Sequence, residues 1–98
     1  EVSYIDVYRD HLVLYPGETT VAVRDLELAG NPFETLVRDV AQRRDQKYIV
    51  LLVRPHSASI TRRLRKVIED YDIDIGFELF EENRPVDYRQ EEGKTPTT

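Results

Sequence analysis

The stretch that most constrains this fold is Tyr48-Ile49-Val50-Leu51-Leu52-Val53-Arg54. Five consecutive apolar residues, Ile49 to Val53, are rich in β-branched side chains and too short for a helix, so they read as a strand buried on both faces. Such a strand belongs at the centre of a sheet. Pro55-His56-Ser57 closes it, and a helical pattern begins almost at once.

Ninety-eight residues suffice for one domain with a modest two-layer core. Hydrophobic residues make up 40% and charged residues 34%, so the chain reads as globular with a heavily charged surface. A net charge of -5 argues against nucleic acid as a partner, because that affinity depends on neutralising phosphates with Lys and Arg. With no Cys, disulfide and thiolate chemistry are excluded and the redox compartment is left open. No apolar run approaches the roughly 20 residues that span a bilayer. The sequence starts at Glu1 and contains no Met, so it is expected to be a fragment or processed form with any anchor lying outside it.

In chain order, Val2 to Tyr8 alternates Ile5 and Val7 with Tyr4, Asp6 and Tyr8, the pattern of a half-buried strand. After a turn at Arg9-Asp10-His11, Leu12 to Tyr15 resumes the apolar pattern, which predicts an antiparallel hairpin. Thr19 to Val23 reads as an edge strand or an extended arm, and Arg24 to Gly30 as loop. Asn31-Pro32-Phe33-Glu34 is a helix start, with Asn as cap, Pro in the first turn and Glu placed to reach back. Phe33, Leu36, Val37, Val40 and Ala41 then make one apolar face. After the central strand, Ser57 or Ser59 can cap a second helix with Ile60, Leu64, Val67, Ile68 and Tyr71 as its stripe. Ile73, Ile75, Phe77 and Leu79 alternate along a last strand.

These elements predict an α+β two-layer sandwich: a mixed sheet of four to five strands with both helices on one face, in the order β-β-(β)-α-β-α-β. The domain is placed at residues 1–87, and the polar tail 88–98 is expected to be disordered. A sheet covered on one side leaves its other face for solvent or a partner, and Tyr4, Tyr8, Tyr15 and Tyr48 are the candidates for an interaction surface there.

Arg54, His56, Ser57, Ser59, Arg62, Arg63 and Lys66 place donors and positive charge around the strand-to-helix junction, a candidate anion site. No Gly-rich phosphate cradle accompanies them, and helix capping plus a solvated basic face accounts for the same residues. His11 and His56 are the only histidines and lack ligand spacing, so no metal and no cofactor are expected. Adjacent His56 and Ser57 do not make a nucleophile and base, no G-x-S-x-G is present, and Glu81-Glu82 lie in polar sequence. The chain is therefore read as non-enzymatic.

The order of elements resembles the periplasmic domain of the ExbD/TolR biopolymer-transport family. The residues that carry the resemblance are Tyr48 to Arg54, the helix Ile60 to Tyr71, and Ile73-Asp74-Ile75-Gly76-Phe77, within a span from about Tyr4 to Glu81. It implies a domain tethered by one N-terminal transmembrane helix in a proton-driven inner-membrane motor, on the periplasmic side, and able to form a homodimer. The family's proton-carrying Asp sits in that helix, so no residue here inherits the role. The Pro16 to Gly30 connector is longer than is usual there, and Pro55-His56-Ser57-Ala58-Ser59 replaces an acidic, Pro-containing turn. The expected function is a protein-interaction or assembly domain acting on a protein partner or a cell-wall polymer. The alternative is a soluble, cytoplasmic anion- or nucleotide-binding regulatory domain using the Arg54 to Lys66 corner.

Overall fold

The computed structural model describes residues 1–86 of the chain. The expected tail 88–98 and the domain limit at residue 87 lie outside the described residues. The elements are β1 (Val2–Val7), β2 (His11–Tyr15), β3 (Thr19–Ala22), a 3-10 helix (Val23–Glu27), α1 (Pro32–Gln42), β4 (Tyr48–Val53), α2 (Ala58–Asp70) and β5 (Ile75–Leu79). One five-stranded mixed sheet results, in the order β3-β2-β1-β4-β5. Strands joined by short turns pair antiparallel, β1 with β2 and β2 with β3. Where a helix intervenes the pairs are parallel, β1 with β4 and β4 with β5, as the longer crossover permits. The α+β sandwich expected from the pattern is the fold observed.

Strand β4 is interior, with Ile49 to Leu52 buried, but the middle position belongs to β1. All six β1 residues are buried, so the expectation of a half-buried strand is corrected. Alternation along β1 and β4 sends Ile5, Val7, Ile49 and Leu51 toward the helices, where they meet Phe33, Val37 and Val40 of α1 and Leu64 and Ile68 of α2. Val2, Tyr4, Val50 and Leu52 point the other way and pack with Phe80.

Helix α1 starts where the sequence placed it. Asn31 Oδ1 accepts the Glu34 amide at 3.0 Å, while its Nδ2 donates to the carbonyls of Leu26 (3.2 Å) and Leu28 (2.9 Å), so one buried side chain caps the helix and ties down the preceding loop. Glu34 does not reach back; its carboxylate pairs with Arg38 at 2.9 Å. That loop contains the 3-10 helix, where plain loop was expected. Thr19 to Ala22 is a true edge strand. The last strand starts at Ile75, after Asp72 takes φ 60° and Ile73 drops into the helix-side core.

The face away from the helices is not open. Beyond β5 the Phe80 amide donates to Val53 O at 2.9 Å, Phe80 is 3% exposed, and Val86 packs beside Tyr15 and Tyr48 on the same cluster. The chain thus returns over the surface that the sequence left bare.

Candidate functional site

Because β1, β4 and β5 run parallel, their carboxyl ends share one end of the sheet. From β1 the chain departs toward β2, and from β4 toward β5, so connections diverge on either side of the β1–β4 pair. Crevices at such a point are common ligand sites in open sheets. Here there is a cleft of about 230 Å³ lined by Tyr8, Arg9, Asp10, Arg54, Pro55, His56 and Glu82.

Of these lining residues, Arg54 is held in a buried ion pair. Arg54 Nε and Nη2 donate to the two carboxylate oxygens of Asp6 at 2.8 and 2.9 Å, a two-pronged contact between side chains 3% and 1% exposed. Arg54 Nη1 donates to Glu81 O at 2.7 Å, which fastens the returning chain to the sheet. Aromatic rings flank the guanidinium, Tyr8 at 5.0 Å and Phe80 at 4.9 Å. The stack continues at both ends: His11 lies on Tyr8 with centroids 4.4 Å apart and planes at 8°, and Arg84 lies 4.0 Å over Phe80.

The contact with Asp6 holds Arg54 more firmly protonated than usual. Burial, then the Asp6 charge and a hydrogen bond to Asp6, push the Tyr8 hydroxyl up from its ordinary value, so it stays neutral at physiological pH. Burial and the Asp6 charge do the same to Tyr15. At the rim, the hydrogen bond with His11 draws Asp10 down.

The residues expected to bind an anion do not converge. Arg54 is engaged by Asp6. Ser57 stands at the N-cap position of α2, as the sequence allowed, but it is fully buried and its Oγ donates to Arg54 O at 2.7 Å instead of accepting a helix amide, so it is not placed as a nucleophile for His56. His56 is exposed at the cleft with φ 67°, a left-handed conformation unusual outside glycine. Ser59, Arg62, Arg63 and Lys66 are exposed on α2, and none of them lines the cleft. Of the tyrosine surface, the placement of Tyr4 is corrected. Tyr4 is 1% exposed and belongs to the core, while Tyr8, Tyr15 and Tyr48 are half-buried under or beside the returning chain. Among the described residues no three His, Asp or Glu side chains come together as metal ligands, and no helix is long and apolar enough to cross a membrane.

Two features were missed in the sequence. Asp6 passed for a solvent-facing residue, although an acid inside a β-rich strand and an Arg ending an apolar one were signals of a buried pair. The second is the outer edge of β5, where Phe77 is 49% and Leu79 81% exposed. Both alternate with Gly76 and Glu78 and share the helix face with Leu51 and Val53 of β4, yet they stay exposed, with Arg65 of α2 over the Phe77 ring at 5.4 Å. Comparison of the chain with protein-family models, curated proteins and solved structures found no match.

Proposed function

We propose that this chain is a non-catalytic interaction and assembly domain of a membrane-tethered, transport-type protein. The observation that carries the reading is the outer edge of β5, a strand paired on one side only among the described residues, which displays Phe77 and Leu79. Edge strands are usually blunted by charged side chains, Pro or a bulge; β5 has neither Pro nor bulge, and its one charge, Glu78, is met by Arg84. Apolar side chains beside free backbone donors and acceptors favour a protein partner that adds a strand. The tether and the periplasmic location rest on the ExbD/TolR resemblance, with the anchor lying outside the described residues. The anion-binding alternative is weakened because Asp6 already neutralises Arg54.

Native-state mass measurement of the full-length protein extracted from its own membrane tests the reading. Leu79→Lys is expected to dissociate the assembly while the melting temperature of the domain stays unchanged, since that side chain is exposed. A full-length protein that is monomeric in the extract would overturn it. Phosphate-dependent NMR shifts at the Arg54 to Arg63 amides would favour the alternative.

A further inference from the structure

We propose that the groove between α1 and α2 is a docking site for a short acidic segment of a partner protein, which inserts one large apolar side chain and sets carboxylates beside the first turns of α2. This goes beyond the β5 reading, since it concerns the helix layer and needs no strand addition.

The groove follows from how the helices lie. The backbones of α1 and α2 make few close approaches above the sheet, and a cavity of about 160 Å³ opens between them. It is lined by the buried Phe33 and Leu64, by the half-buried Leu26, Val67 and Tyr71, and by the exposed Arg63. A cavity of about 150 Å³ holds one benzene molecule, so this one takes a single Leu or Phe side chain and little more. The lining is also held in place. Asn31 Nδ2 donates to the carbonyls of Leu26 and Leu28, which fixes the loop carrying Leu26, and Arg38 Nε donates to the Tyr71 hydroxyl at 3.4 Å. A preformed site gives up little further freedom on binding.

Charge selects the partner. In the helix layer Arg38, Arg43 and Arg65 each face a carboxylate four positions away, and Arg44 and Lys47 also have acidic partners. Arg62, Arg63 and Lys66 have none among the described residues, and Asp70, one turn after Lys66, pairs with none of them. Lys66 is a helical neighbour of both Arg62 and Arg63, and Arg63 lines the groove. In a chain whose acidic residues outnumber its Lys and Arg by 19 to 14, these three cations stand together without counter-charge. Carboxylates of a partner would relieve their mutual repulsion and turn away basic segments, while the cavity takes the apolar anchor.

The test is an amide NMR titration of the chain with a synthetic peptide of about ten residues, one Leu flanked by Glu and Asp on a Gly-Ser background. Shifts are expected at Leu26, Glu34, Arg63 and Val67. The affinity should fall at least about tenfold when Gly replaces the peptide Leu. Arg63→Glu, at an exposed position that leaves the core untouched, should weaken it about threefold. Val67→Phe, which fills the cavity, should abolish binding, and Leu79→Lys should leave it unchanged. Equal binding of the Gly peptide, or of a peptide with Lys in place of its acids, overturns the proposal, because the groove or the charge would then play no part. So do shifts at these amides that depend on the concentration of the chain alone, which would make a second copy the occupant, or that follow removal of residues 87–98, which would make it the chain's own end. No shift there at about millimolar peptide also overturns it, and leaves the β5 reading to its own test.

Discussion

The two faces of the sheet are both covered, but by different means. Toward the helices the cover is area: Ile5, Val7, Ile49 and Leu51 meet two amphipathic helices in a broad apolar layer. On the other side it is a few specific partners: a small cluster around Tyr4, Val50 and Leu52, the Asp6–Arg54 pair, and one returning segment hung from Arg54 and Phe80. An apolar layer spreads its loss when one residue changes. A buried ion pair concentrates it, because removing one partner strands a charge away from water.

Arg54→Ala is therefore expected to have the largest effect of any single substitution, about 3–5 kcal/mol in urea denaturation. It leaves Asp6 buried without its counter-charge and releases Glu81 O from its donor. Replacing both partners, Asp6→Leu with Arg54→Met, should recover most of that loss, since an apolar pair of similar volume needs no compensating charge. A loss below about 1 kcal/mol for Arg54→Ala would mean that water reaches the pair and that the two faces differ only in composition.

On the helix side, Ile68→Ala is expected to cost about 3 kcal/mol, the lost transfer energy plus the cavity left beneath α2. Smaller again is Phe80→Leu, at about 1–2 kcal/mol. Volume is largely kept, but the ring that faces both Arg54 and Arg84 is gone. Amide hydrogen exchange sharpens the contrast: Phe80→Leu should loosen residues 81–86 ahead of the sheet, whereas Ile68→Ala should lower protection throughout.

The helix-covered face was legible because burial there follows the periods that residues display. Asn31-Pro32 marks a helix start whatever surrounds it, and Phe33, Val37 and Val40 repeat as a helix face must. The run Ile49 to Leu52 could only be a strand covered on both sides. The other face was not legible because its cover comes from partners remote in sequence. Asp6 and Arg54 are 48 positions apart, and no local period links them. From Glu81 on the sequence is polar and gives no period to follow, yet Val86 packs on the same cluster as Phe80, and Arg84 lies over the Phe80 ring. At the anion-site candidate, local spacing put Arg54, Ser57 and Arg62 on one corner, but the first two turned inward to satisfy buried groups. The outer edge of β5 escaped notice for a related reason: Phe77 and Leu79 alternate as buried residues do, yet they stay exposed.

The smallest expected effect is alkaline, and it belongs to the returning-chain face alone. Burial, with the Asp6 charge next, raises both Tyr8 and Tyr15 above the ordinary 10.0. A tyrosine with a raised value in the folded state holds its proton longer than it does in the unfolded chain. Its contribution to stability is thus complete below pH 10.0 and is lost as pH rises through the folded value. The urea midpoint should consequently decline as the pH rises above 10.0. Tyr8→Phe removes one ionisable group beside Asp6, so its decline should be shallower, with phenolate absorbance near 295 nm following one fewer late-titrating tyrosine. An identical decline in both proteins would detach Tyr8 from the Asp6–Arg54 pair and leave that face resting on the pair itself and Phe80.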